Sequence, residues 1–155
     1  MAKWFNAWCS LSLILTMTTI SAQEYAPLKI SIQQPKQVTV GDTVELLIRV
    51  DVDEGWYVYA ADADNEVKGM TAFHIGFLLP KGMKLIGNVR LPDPIYHEEY
   101  TVYKGLGNVF KQRVLVEKVA GVTKPIIRGT VQYQACDAQS CLPPTTERFE
   151  VLLEK

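Results

Sequence analysis

Short apolar segments separated by turn residues run along most of this chain, and their spacing constrains the fold more than any other feature. The clearest one, residues 43–52, carries an apolar side chain at every second position, which is the period of a β-strand with one buried face. Comparable segments recur about every 8 to 15 residues, with glycine, proline and aspartate between them. Residues 56–59 are predicted as a short aromatic strand, residues 60–69 as a solvent-exposed loop, and residues 83–86 and 89–91 as two short strand pieces. No segment shows a convincing helical period. The chain is therefore predicted to be an all-β sandwich.

The composition is that of a globular domain and argues against a nucleic-acid partner. Of the 155 residues, 48% are hydrophobic and 21% are charged, which is ordinary for a chain with one core. The formal net charge is −1, and neither a basic face nor a long charged tail is evident. Since there are also no internal repeats and no linker, we expect a single mature domain.

The start of the chain has the layout of a secretory signal peptide. Lys3 supplies a positive charge, residues 11–20 are mostly apolar, and small residues that suit a cleavage site follow. The apolar stretch is shorter than the about 20 residues of a membrane span. We predict a signal peptide over residues 1–23, a domain over residues 24–155, a periplasmic or secreted location, and no stable membrane insertion after cleavage. An uncleaved anchor is the alternative.

Two of the three cysteines, Cys136 and Cys141, lie on a short connection between predicted strands. Alternating segments lead into this connection, at residues 130–135, and away from it, at residues 148–153. Asp137 and a pair of prolines favour a turn here. The two thiols are therefore expected to lie close together, in a geometry that suits a reversible disulfide.

Three roles are open for this cysteine pair. A structural disulfide is common in small exported domains, but a ring of about six residues would stabilise the fold by only about 2 kcal/mol. A redox disulfide needs accessible sulfurs and a partner thiolate that can attack them. A metal site would need more ligands, and the only histidines, His74 and His97, are distant in sequence. Spacing alone does not decide among the three.

A family resemblance rests on motifs that occur in a fixed order along the chain. They are Glu54-Gly55-Trp56-Tyr57-Val58-Tyr59, Leu91-Pro92, His97-Glu98-Glu99-Tyr100, Tyr133-Gln134-Ala135-Cys136 and Cys141-Leu142-Pro143-Pro144. In these motifs the chain resembles the N-terminal periplasmic domain of the thiol:disulfide interchange protein DsbD, over about residues 53–151. The block around the two cysteines is the specific part.

The resemblance implies an immunoglobulin-like antiparallel β-sandwich with a redox-active disulfide. Cys136 and Cys141 would be the catalytic pair, with Cys141 as the sulfur that forms mixed disulfides. Tyr57 and Tyr59 would line the site. A cap over the disulfide would be formed by His97, Glu98, Glu99 and Tyr100. We expect neither a cofactor nor a metal. Four residues separate the cysteines here, whereas the best-known family members have five.

The implied function is that of a thiol:disulfide exchange module, a protein-disulfide reductase. It would take electrons from a thioredoxin-like or transmembrane thiol–disulfide protein and pass them to oxidised envelope proteins. One alternative is a non-enzymatic immunoglobulin-like binding module with a structural disulfide, in which residues 95–103 form the contact surface. A second alternative is a metal-handling protein that uses Cys136 and Cys141, with His97 as a further ligand.

Overall fold

The computed structural model describes residues 26–33, 38–117 and 125–154. The predicted signal peptide lies outside these residues. The described part contains one short helix, α1 (Ala63–Val67), and no helix there is long and apolar enough to cross a membrane. Its strands are β1 (Leu28–Gln33), β2 (Thr43–Val52), β3 (Tyr57–Tyr59), β4 (His74–Leu78), β5 (Met83–Arg90), β6 (Ile95–His97), β7 (Tyr100–Tyr103), β8 (Asn108–Val116), β9 (Ile126–Tyr133), β10 (Ala135–Cys136) and β11 (Thr145–Leu152).

The strands form three antiparallel sheets, which confirms the predicted all-β, immunoglobulin-like sandwich. Sheet A has the strand order β1-β2-β8-β5, sheet B has the order β10-β3-β7-β6, and sheet C has the order β11-β9-β4. Only Gln134 separates β9 from β10, so the chain passes directly from sheet C into sheet B. The inner faces of all three sheets contribute to one hydrophobic core.

The alternation predicted for residues 43–52 holds along β2. Its inward positions, from Val44 to Val52, are buried, whereas Glu45 and Arg49 on the other face are exposed. At the centre of the core the ring of Phe110 stacks on Phe73 at 4.5 Å and meets Tyr103 edge-on at 5.1 Å. Burial of each such side chain stabilises the fold by about 1.5–3 kcal/mol, so this aromatic cluster is a main source of stability.

One predicted break between strands is a bulge within a single strand. Residues 83–86 and 89–91 are predicted as two pieces, but Met83–Arg90 forms the continuous strand β5. The register against β8 shifts between Ile86 and Arg90, and Gly87 has a φ of 68°. Glycine adopts this conformation at little cost, so the strand bends there without ending.

The segment 60–69, predicted to be a solvent-exposed loop, contains α1. The side chain of Asp62 accepts a hydrogen bond from the backbone N–H of Asp64 at 3.0 Å and caps the helix. Asn65 is buried and donates hydrogen bonds to the carbonyl oxygens of Thr101, at 2.8 Å, and Ala60, at 3.1 Å. These bonds attach α1 to β7. A helix of five residues is too short to show a hydrophobic period, so the pattern could not reveal it.

Candidate functional site

Cys136 and Cys141 form a disulfide that closes a tight turn at the end of β10. The S–S distance is 2.05 Å and the two Cα atoms are 4.0 Å apart. The backbone N–H of Asp137 donates to the carbonyl oxygen of Ser140, and that of Leu142 donates to Ala135. The sequence prediction of a turn that brings the two sulfurs together is therefore confirmed.

The carboxylate of Asp137 shapes this turn from within. Its Oδ1 accepts hydrogen bonds from the backbone N–H groups of Gln139, at 2.8 Å, and Ser140, at 2.7 Å. These two bonds lower the pKa of the carboxyl below its ordinary value, because they stabilise the charged form. A negative charge therefore stays beside the disulfide at neutral pH.

The disulfide belongs to the outer face of sheet B rather than to the sandwich core. Cys136 pairs with Tyr57 across β10 and β3, while the neighbouring pair Ala135 and Val58 points into the core. Strand alternation then places Tyr57, Tyr59 and Cys136 on the outer face. A second, smaller hydrophobic cluster lies there and is built on Cys136, Tyr59 and Val102.

The two cysteine residues differ sharply in burial. Cys136 has 0% of its surface exposed, because the outer-face cluster covers it. Cys141, on the far side of the turn, is exposed. A thiol from another protein would therefore approach the disulfide from the side of Cys141, because it would have to displace aromatic side chains to reach Cys136.

The hydroxyl of Tyr59 lies against both sulfurs. It is 3.7 Å from Sγ of Cys136 and 4.0 Å from Sγ of Cys141. Since a disulfide sulfur carries no proton, the phenol is the donor in these weak O–H···S contacts. Burial, reinforced by the nearby Tyr57, raises the pKa of Tyr59 to about 12, so the phenol keeps its proton throughout the physiological range.

This shift predicts a specific loss of stability at high pH. The folded pKa of about 12 lies above the ordinary value of 10.0, so between these values the folded state holds a proton that the unfolded state has lost. The contribution of the protonated Tyr59 to the free energy of unfolding is fully present below pH 10 and disappears as the pH rises towards 12. Urea unfolding between pH 9 and pH 12 is expected to show a steeper fall in the wild type than in Tyr59→Phe. Equal slopes in the two proteins would contradict this assignment.

The four residues predicted to form a cap occupy the tip of the hairpin made by β6 and β7, which we call the cap hairpin (residues 95–103). His97 packs edge-on against Tyr57 at 4.9 Å, and Tyr100 packs against Tyr59 at 5.2 Å. Glu98 and Glu99 form the turn between the strands and are exposed. The structure thus brings His97 and Tyr100 into the aromatic layer over Cys136, while the two glutamates point to solvent.

Two residues beside the cap hairpin were absent from the sequence prediction. The ammonium of Lys68 lies 5.1 Å from the ring centroid of Tyr100 and donates a hydrogen bond to the carbonyl oxygen of Glu99. Met70 packs against the outer-face cluster. Both follow α1. An aspartate at position 62, with acidic residues in the turn after it, is a helix-start signal that could have drawn attention to this segment.

Within the described ranges, His, Cys, Asp and Glu side chains do not gather in groups of three or more that could hold a metal. His97 faces the ring of Tyr57. The metal-handling alternative therefore finds no donor set in the described part of the chain.

Comparison with known proteins gives one family match. The family model for the N-terminal domain of the thiol:disulfide interchange protein DsbD matches residues 28–153. Among curated proteins, none matches the chain.

Several solved structures are similar to this one. The DsbD N-terminal domain of Neisseria meningitidis, in a complex with the PilB N-terminal domain, is 14% identical, with coverage of 79% of this chain and 80% of that chain and a TM-score of 0.45. The same domain in its reduced form is 14% identical, with coverage of 83% and 87% and a TM-score of 0.41. The GAE domain of yeast GGA1 is 12% identical, with coverage of 86% and 96% and a TM-score of 0.47.

Proposed function

Because the chain belongs to the family of DsbD N-terminal domains, we propose that it relays electrons through Cys136 and Cys141 to oxidised proteins of the cell envelope. The observation that carries this proposal is the asymmetry of the disulfide. Cys141 is exposed to an incoming thiolate, while Cys136 is buried under Tyr59. Exchange requires access to one sulfur and a defined leaving group at the other, and this arrangement provides both.

Reduction of the pair would proceed in two displacements. A thiolate of the electron donor attacks Sγ of Cys141, the S–S bond breaks, and the sulfur of Cys136 leaves with the bonding electron pair and takes up a proton. A second thiolate of the donor then attacks the donor sulfur in the mixed disulfide. Cys141 leaves as a thiolate and is protonated. The donor has become a disulfide, and the pair has gained two electrons and two protons.

Transfer to the acceptor would reverse these steps. The thiolate of Cys141 attacks the disulfide of an oxidised envelope protein and forms a mixed disulfide, and one acceptor sulfur leaves as a thiolate. Cys136 then attacks Sγ of Cys141, which restores the disulfide and releases the reduced acceptor. Tyr59 supports both directions, because its neutral phenol can donate a hydrogen bond to the Cys136 thiolate when that sulfur leaves.

The cap hairpin would direct this chemistry to Cys141 and away from Cys136. The aromatic layer of Tyr57, Tyr59, His97 and Tyr100 covers the side of the site on which Cys136 lies. A partner protein would therefore meet the pair at the exposed Cys141. The partners we propose are thioredoxin-like or transmembrane thiol–disulfide proteins, and the proposed location is the periplasm, reached after removal of residues 1–23.

A redox titration of the pair tests the proposal against the structural-disulfide alternative. The purified protein is equilibrated with thiol–disulfide buffers of known potential, and the free thiols are labelled and counted. We expect the midpoint reduction potential of the pair to lie above about −300 mV, within the range of exchange proteins. We also expect a thioredoxin-like reductant to reduce the native disulfide. A midpoint below about −300 mV, together with resistance to that reductant, would show a structural disulfide and overturn the proposal.

A further inference from the structure

Lys68 connects α1 to the tip of the cap hairpin. Its ammonium lies over the ring of Tyr100, 5.1 Å from the centroid, and also donates a hydrogen bond to the carbonyl oxygen of Glu99. Both contacts are with the last turn residue and the first residue of β7. A cation over an aromatic face is attracted by the negative π-surface, and the carbonyl oxygen binds the same charge. One side chain therefore holds the tip at two points.

The segment that carries Lys68 is attached to β7 by hydrogen bonds. Asn65, which is 1% exposed, donates hydrogen bonds to the backbone of Thr101 and Ala60. The hydroxyl of Thr101 also donates to a carboxylate oxygen of Asp62, the helix cap, at 2.9 Å. These bonds fix α1 against Thr101 in β7. At the hairpin tip beyond Thr101, ring contacts and the two contacts of Lys68 add to the pairing of β6 with β7.

The tip adopts a conformation that its sequence does not favour by itself. Glu98 has a φ of 54°, in the left-handed region that residues other than glycine rarely adopt. Such a residue persists when the surrounding contacts hold it in place. Contacts that hold this tip include those of His97 with Tyr57, of Tyr100 with Tyr59, and of Lys68 with Glu99 and Tyr100.

We propose that Lys68 is a positioning residue that keeps the cap hairpin over Tyr59 and thereby confines thiol exchange to Cys141, with Cys136 out of reach. This role rests on the proposed function, because it decides which sulfur of the pair meets a partner. It acts through Tyr100 and Tyr59, and Lys68 itself touches neither sulfur.

Single-cysteine variants measure this effect directly. In a Cys141→Ala background, the thiolate of Cys136 attacks the disulfide of Ellman's reagent, forms a mixed disulfide and releases one thionitrobenzoate anion, which is followed by absorbance. Attack requires the hairpin to move aside, so the rate follows the open fraction. We expect Lys68→Met to raise the rate of Cys136 about three- to tenfold. Lys68→Arg keeps a cation and donors and is expected to stay within about twofold of the parent.

Two controls distinguish a specific effect of Lys68 on the cap hairpin from a general destabilisation of the fold. Lys81→Met removes the same charge from the exposed turn between β4 and β5 and is expected to leave the Cys136 rate unchanged. In a Cys136→Ala background, Lys68→Met is expected to change the rate of Cys141 less than about twofold, because that residue is already exposed.

The proposed role of Lys68 would be overturned if Lys68→Met left the reaction rate of Cys136 unchanged. It would also be overturned if Lys68→Met accelerated the reactions of both cysteines equally. Neither result would affect the redox titration, which tests the proposed function separately. A midpoint potential in the range of structural disulfides would overturn that function whatever the single-cysteine rates are.

Discussion

The Cys136→Ala variant is expected to capture a thioredoxin-like protein through Cys141 at least about 100 times faster than the Cys141→Ala variant captures it through Cys136. Cys141 is an exposed residue that can align with an incoming disulfide, whereas the buried Cys136 must first be uncovered by local opening of the outer-face cluster. The captured species is stable in the first variant, because the residue that would resolve the mixed disulfide is gone.

The measurement uses a thioredoxin-like protein whose single remaining cysteine is activated as its thionitrobenzoate mixed disulfide. Release of thionitrobenzoate gives the rate, and non-reducing electrophoresis shows the covalent complex. Circular dichroism of both variants establishes that each is folded. Similar rates for the two variants would contradict the assignment of Cys141 as the exchanging sulfur. A faster reaction of Cys136 would reverse it.

Replacement of Phe110 by alanine is expected to lower the free energy of unfolding by about 3–5 kcal/mol, a large part of the about 5–15 kcal/mol of a typical domain. Phe110 has no exposed surface and contacts both Phe73 and Tyr103. Truncation removes apolar burial and leaves a cavity that the sheets on either side cannot close. The backbone N–H of Phe73 donates a hydrogen bond to the carbonyl oxygen of Tyr59 in β3. The loss of packing around Phe73 is therefore also expected to weaken β3, which carries Tyr57 and Tyr59.

Urea unfolding at neutral pH measures this loss, and a thermal scan should show a fall in Tm of about 10–20 °C. Leu106→Ala is the matched control. Leu106 is also a large apolar residue, but 79% of its surface is exposed, so its truncation should cost no more than about 0.5 kcal/mol. A loss below about 1 kcal/mol in Phe110→Ala would contradict the central position of this ring in the core.

Much of the fold could be predicted because strand alternation is a local property. The prediction for residues 43–52 coincides with β2, since apolar and polar side chains there mark the two faces of one strand. The aromatic strand containing Tyr57 and Tyr59 and the turn around Asp137 were also predicted correctly. Short or irregular elements left weaker signals. The helix α1 has five residues, and the bulge at Gly87 interrupts the alternation of β5.

The site was predicted in part. The family motifs named the two cysteines, the two tyrosines and the cap, and the structure places Cys136, Tyr57, Tyr59, His97 and Tyr100 in one layer. The sequence motifs did not point to Lys68, because a lysine after a short acidic segment is typical of any exposed surface. Its contact with the cap hairpin joins residues of separate segments.

The amino-acid sequence by itself determined the β-sandwich, the turn that joins the two thiols and the family to which they belong. Each of these depends on side-chain polarity and turn chemistry within a few neighbouring residues. Only the tertiary structure decided which cysteine residue is exposed and what holds the cap hairpin. The burial of Cys136 follows from its pairing with Tyr57 and from the packing of Tyr100 on Tyr59. Such contacts between distant segments form only when the sheets assemble.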